Sequence, residues 1–128
     1  MINSDSTLLT EKLKRKCSDR TQKLYLSLHK SIIRLAKNNI DFDIYPIYVT
    51  YYNIKTDRVF VIIYLNKDFL EVGFALNKKQ KYKGVKDAGF MKYPGITKYI
   101  RIESHGDIGA NIRKIMALSY VNVGENTD

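Results

Sequence analysis

Between Lys78 and Arg101 the chain carries eight basic residues and one acid, Asp87, with Tyr82, Phe90, Tyr93 and Tyr99 threaded among them. That stretch supplies +7 (eight minus one) of a formal net charge of +9. Charge so concentrated repels itself and needs solvent or an anionic partner. The ammonium groups of Lys78, Lys79, Lys81, Lys83 and Lys86 have the chemistry to neutralise phosphates, and Tyr82 and Tyr93 offer π-faces for bases to stack on. Lys92, Tyr99 and Arg101 extend the same set. Such contacts position a nucleic acid, DNA or RNA, without reading its sequence, so the binding expected is mainly nonspecific. The competing reading is structural: the rings pin a loop to the fold, and the lysines keep a small domain soluble.

No other residues assemble into a catalytic constellation. His29, His105 and the single cysteine, Cys17, offer no pair at metal-ligand spacing. Asp41 and Asp43 flank Phe42 and would share one side of an extended segment, but two acids between a helix and a strand read first as turn chemistry. Ser104-His105-Gly106-Asp107 has the form of a helix-capping box, which accounts for Ser104 without catalysis. Lys14, Arg15 and Lys16 would lower the pKa of an exposed thiol at Cys17; a partly buried, inert thiol is the plainer reading. Gly84 and Gly89 lack the Lys-Ser/Thr pair of a phosphate-binding loop. The chain therefore reads as a non-enzymatic binding module with no metal and no cofactor. The alternative within that class is an interaction module that takes a protein or small ligand on a tyrosine-rich sheet face.

A chain of 128 residues with 45% hydrophobic content is expected to bury a real core as one domain, over residues 6–122, with 1–5 and 123–128 as flexible termini. One cysteine excludes an internal disulfide, and the first residues lack the basic start and apolar run of a signal peptide. The longest apolar run, Val59 to Leu65, is far too short to span a membrane. A cytoplasmic protein is the expectation.

The elements that would position the basic segment follow from periodicity. A short helix capped at Ser6 or Thr7 runs to about Lys16, and a second from Asp19 to about Lys37 repeats Leu24, Leu28, Ile32 and Leu35 at helical spacing. Its other face carries Lys16, Arg20, Lys23, Ser27, Lys30, Arg34 and Lys37 without an acid, a second basic stripe. Three strands are expected over Tyr45 to Ile54, Val59 to Leu65 and Leu70 to Leu76, joined by short turns into an antiparallel meander. After the basic loop come a fourth strand, Thr97 to Glu103, and a last helix that turns Ile108, Ile112, Ile115 and Met116 inward. The fold class is α+β: a two-layer sandwich of two N-terminal helices, a four-stranded, mainly antiparallel sheet and a C-terminal helix. The sheet face away from the helices would be partly open and carry tyrosines and Arg101.

This order, with several local strings, resembles an uncharacterised bacterial and archaeal domain that commonly follows a restriction-endonuclease-like domain in so-called predicted transport proteins. The resemblance spans about Ser6 to Val121. It is carried by Lys16-Cys17-Ser18 with Leu24-Tyr25, by Tyr48-Val49-Thr50-Tyr51, by Gly84-Val85-Lys86-Asp87, by Tyr99-Ile100-Arg101-Ile102 and by Ile112-Arg113-Lys114-Ile115. Leu70-Glu71-Val72-Gly73-Phe74 is similar to the related YdhG-like family. Where the family often has Gly-His-Trp, this chain has Gly89-Phe90-Met91 and no Trp at all. The resemblance implies an accessory domain with a nuclease-like partner, and it brings no catalytic residue with it.

Overall fold

The computed structural model describes residues 3–124. Three helices and six strands follow in the order α1 (Asn3–Lys16), α2 (Asp19–Ile33), β1 (Ile40–Ile44), β2 (Tyr48–Asn53), β3 (Arg58–Leu65), β4 (Leu70–Phe74), β5 (Lys86–Asp87), β6 (Lys98–Ile102) and α3 (Ala110–Gly124). The class is α+β, with two N-terminal helices and a C-terminal one, as the periodicity predicts. The sheet corrects the expected strand count: it has six strands, not four, in the order β1-β2-β3-β4-β6-β5, with every neighbouring pair antiparallel. Helix also reaches into both stretches expected to be flexible, since α1 starts at Asn3 and α3 runs to Gly124; the remainder of those stretches lies outside the described residues.

The two extra strands have different origins. β1 reads Ile-Asp-Phe-Asp-Ile, the apolar–polar alternation of a half-buried strand. Asp41 and Asp43 are its exposed positions rather than turn residues. The predicted strand at Tyr45 to Ile54 is thereby shortened: Tyr45 N–H donates to the Tyr48 carbonyl at 2.8 Å, which closes a hairpin around Pro46 and starts β2 at Tyr48. β5 is a two-residue strand with no periodicity to announce it.

α2 begins where Ser18 accepts from the Thr21 amide at 3.3 Å, with Asp19 in the first turn beside the positive helix end. It stops at Ile33, short of the predicted Lys37, where the Leu35 amide turns back to the Ile32 carbonyl at 3.1 Å, and the chain then reaches Asn39. Its side-chain amide donates to Asn53 Oδ1 at 2.9 Å and to the Tyr120 hydroxyl at 2.7 Å, and its Oδ1 accepts from the Lys55 amide at 3.0 Å. One polar side chain thus ties the start of β1 to the end of β2 and to α3.

The β2–β3 register shifts between Tyr51 and Tyr52, so Tyr51 faces Val61, Tyr52 faces Val59, and Phe60 is the extra residue of a bulge. Phe60 and Tyr51 both meet the helices: Phe60 packs edge-on against Tyr120 of α3 at 5.2 Å, and Tyr51 bonds to Tyr25 of α2. Past the last β3–β4 pair, Val61↔Phe74, the hydroxyl of Ser119 stands in for a missing rung. It donates to the Phe60 carbonyl at 2.6 Å and accepts from the Ala75 amide at 2.8 Å.

The opposite face, expected to be partly open, is roofed at its centre by residues 88–97. Ala88, Met91 and Ile96 are buried there. The approach is so close that a Cβ on Gly73 would lie 2.7 Å from Ile96 Cγ2 and 2.8 Å from both Ile62 Cγ2 and Met91 Sδ. Beside this roof a tyrosine cluster does form: the Tyr48 ring lies 5.1 Å from Tyr45, 5.1 Å from Tyr64 and 6.1 Å from Tyr93.

Candidate nucleic-acid interface

The lysine loop between β4 and β5 is folded against itself and pinned to α3. Asn77 Oδ1 accepts from the Lys79 amide at 3.0 Å, the Tyr82 hydroxyl accepts from the Asn77 amide at 3.3 Å, and Asn111 Nδ2 donates to the Lys83 carbonyl at 2.8 Å. Gly84 then turns the chain into β5 with φ of 78°, a left-handed conformation that glycine adopts without strain. These bonds use backbone and neutral side chains, so the loop lysines' own ammonium groups take no part in them. Lys78, Lys79, Lys81, Lys83 and Lys86 are all exposed, and none forms an ion pair with an acid among the described residues.

The segment's one acid is already engaged. Asp87 accepts from Lys98 Nζ at 2.6 Å, and the same ammonium donates to the Lys78 carbonyl at 3.2 Å. Lys98 is buried, with 7% of its side chain exposed, whereas Asp87 stands at the surface. The hydrogen bond and charge of Lys98, with Lys78 and Lys81 nearby, hold the Asp87 carboxyl below its usual range. Lys98 is thus the one base of the segment withdrawn from any ligand, and the only acid goes with it.

The aromatic partners do not assemble as one platform. Tyr82 is half-buried in a groove with Leu76, Leu118 and Val121, on the α3 side. Tyr93 packs edge-on to Tyr48 on the other face of the sheet. There burial, then Tyr45 and Tyr48, then the carboxylates of Asp43 and Asp57 push its hydroxyl pKa up. That acidic setting disfavours a phosphate, and Lys92 is the neighbour of Tyr93 in the chain. Tyr99 meets Phe90 edge-on at 4.7 Å, and the Arg101 guanidinium lies 3.6 Å over Phe69 while pairing with Glu103 at 3.1 Å. Lys86, Tyr99 and Arg101 line a common groove with Gly84, Ile100 and Asp107. The structure therefore brings Lys86, Tyr99 and Arg101 along one groove and Lys78 and Lys81 near Asp87, and it sets Tyr93 in the cluster of Tyr48. Phe69 is the residue that sequence reasoning missed; its role depends on facing Arg101 from the turn before β4, which no spacing reveals.

The second basic stripe is broken up by the fold. Arg34 and Lys37 lie beyond the end of α2, and Arg20 is committed to the carbonyls of Glu103 and, at 3.1 Å, Asp68. Those carbonyls mark the end of the sheet where β4 begins and β6 finishes. Lys78 follows the opposite end of β4, a strand length away.

Away from the loop, the buried Tyr25 and Tyr51 and the half-buried His29 are joined to one another. The Tyr51 hydroxyl bonds to Tyr25 and, at 2.7 Å, to His29 Nδ1, while the His29 ring meets Phe42 edge-on at 5.1 Å. Burial lowers the His29 pKa, so the fold favours the neutral ring. The unfolded chain therefore binds the proton more readily, and stability should fall as pH drops below about 6.5, the unperturbed histidine value. Urea unfolding followed between pH 8 and pH 5 checks this, and a His29→Gln variant should lose that part of the pH dependence. Cys17 is buried, and desolvation pushes its thiol up to about 11 in spite of Lys16 beside it, which agrees with the inert-thiol reading.

Among the described residues, no three or more His, Cys, Asp or Glu group to hold a metal ion, and no helix is long and apolar enough to cross a membrane. No protein-family model, curated protein or solved structure matches the chain. The functional reading accordingly rests on its own residues.

Proposed function

We propose that this chain is a non-enzymatic, cytoplasmic module that binds DNA or RNA nonspecifically through its lysine loop, as an accessory to a nuclease-like partner or domain of the kind the family resemblance implies. The observation that carries the reading is the pinned loop with five exposed lysines, whose single acid is engaged by the buried Lys98. A loop held by its backbone loses little entropy on meeting a ligand, and it leaves every ammonium free to replace counterions on a phosphate chain. Tyr99 and Arg101 border the loop and add a ring and a planar cation.

Fluorescence anisotropy with mixed-sequence single-stranded and duplex oligonucleotides tests this across a salt series. With five phosphates contacted, log affinity should fall against log salt with a slope of about −3.5 for single strands and about −4.5 for duplex. A flat salt response, or no binding at low salt, overturns the proposal. A second reading, a protein- or ligand-binding module, is favoured by the Tyr45, Tyr48, Tyr64 and Tyr93 cluster; such an interface would keep its affinity as salt rises.

A further inference from the structure

α3 and the lysine loop enclose a groove that nucleic-acid binding leaves unexplained. Leu76, Gln80, Tyr82, Leu118 and Val121 are among its lining residues, and its volume is about 310 Å³. Leu118 is 41% exposed and Val121 57%, and their spacing of three residues puts them on one face of α3. A single exposed aliphatic side chain is ordinary on a protein surface. Two of them, joined to the half-buried Tyr82 and the buried Leu76, make a continuous apolar strip. A phosphate chain gains nothing from aliphatic carbon, and nucleobases stack on rings.

The charges around this strip have one sign. Lys78, Lys79, Lys81 and Lys83 alternate along the chain with the groove residues Asn77, Gln80 and Tyr82, and all four are exposed. Across the groove, Lys114 is exposed on the same helical face as Leu118, one turn before it. Neither residues 75–86 nor α3 contains an acid, and Asp87 is held by Lys98. Loop and helix are also tied to each other at both ends of the groove. Asn111 Nδ2 donates to the Lys83 carbonyl and Asn122 Nδ2 to the Ala75 carbonyl, each at 2.8 Å. The groove is therefore in place before any partner arrives, which lowers the entropy lost on binding.

We propose that this groove takes an acidic amphipathic helix of another protein, with apolar side chains on Tyr82, Leu118 and Val121 and carboxylates on the loop lysines and Lys114. A helix of that kind presents apolar residues at i, i+3 or i+4 and i+7, and acids on its flanks meet only cations here. An anionic bilayer offers the same two chemistries, but its surface is flat, whereas this strip lines a groove between a loop and a helix. The helix and a nucleic acid would share the loop lysines, so each should displace the other. The groove itself does not rest on the function proposed above, because its apolar half has no part in that function.

The probe is a capped peptide of about fifteen residues, with leucines at i, i+4 and i+7 and glutamates on both flanks. It is titrated into isotope-labelled, nucleic-acid-free protein and followed by amide NMR. Shifts should appear at Tyr82, Leu118 and Val121 and along the lysine loop, with a Kd of about 10–100 µM, as for a small reversible interface. A peptide of the same composition with its leucines scattered should bind at least about tenfold more weakly. Leu118→Gln with Val121→Gln should weaken binding at least about tenfold, since two aliphatic side chains lose their burial, and Lys114→Glu about threefold. Both α3 positions are exposed and glutamine is a good helix former, so the double variant should keep the amide dispersion of the parent. Its oligonucleotide affinity should change less than about twofold, because no phosphate contact is removed. If the parent binds no oligonucleotide, the nucleic-acid function fails while the peptide titration still decides the groove. Absence of shifts up to about 1 mM peptide, equal binding of the two peptides, or full affinity in the double variant overturns the proposal. So does an oligonucleotide loss in the double variant as large as its peptide loss. Binding of phosphatidylserine-containing vesicles by the parent and not by the double variant overturns it too, since the strip would then be a membrane contact.

Discussion

Replacing Lys78, Lys79, Lys81, Lys83 and Lys86 together with glutamine should weaken oligonucleotide binding by about two orders of magnitude at low salt and remove most of the salt slope, which five phosphate contacts set at about −3.5 to −4.5. The change is confined to charge. The bonds that shape the loop run from Asn111 to the Lys83 carbonyl, from the Asn77 amide to Tyr82 and from the Lys79 amide to Asn77, and glutamine preserves all three. Circular dichroism should therefore be unchanged while anisotropy titrations flatten. Lys92→Gln is the internal comparison, because Lys92 is an exposed lysine of the roof segment and not of the lysine loop, and its loss should alter affinity less than about twofold, as expected of a charge that contacts no phosphate. Equal losses from Lys92 and from the loop would mean that net charge, and not the loop, sets the binding.

Gly73→Ala should destabilise the fold by about 1–3 kcal/mol, the usual cost of forcing a methyl into a filled core. The added carbon would meet Ile96, Ile62 and Met91 at under 3 Å. Two of these belong to the 88–97 roof, so the easiest relief is for the roof to lift from β4. Thermal unfolding should register the loss, and trypsin should cut the variant at Lys92 faster than it cuts the parent chain. Binding of oligonucleotide should survive, since the loop lysines are held from α3 and not from the roof. Unchanged stability would show that the roof gives way at no cost.

The parts of this fold legible in the sequence are those fixed by local periodicity. Leu24, Leu28 and Ile32 recur along α2, and Leu70, Val72 and Phe74 alternate along β4; each is buried as its pattern predicts. β1 was equally legible in form, but its acids satisfy a turn reading as well as an edge-strand one, and only pairing with β2 decides between them. β5 and the roof carry no such pattern. They depend on where the chain returns after the lysine loop, which is set by long-range contacts such as Met91 and Ile96 on Gly73. The candidate site divides the same way. Exposure of the five lysines follows from composition, whereas the withdrawal of Lys98 with Asp87, the seat of Arg101 on Phe69 and the separation of Tyr82 from Tyr93 depend on the register of β6.

Cys17 gives the molecule a built-in clock. It is the chain's only thiol, it lies closed off at the junction of α1 and α2, and at neutral pH it is almost wholly protonated. An alkylating reagent can therefore reach it only when that junction opens, and the rate of labelling follows the population of the open form as long as reclosing is faster than alkylation. Because a single modification is the whole signal, mass spectrometry of the intact chain reads how readily the helical layer opens, with no engineered probe.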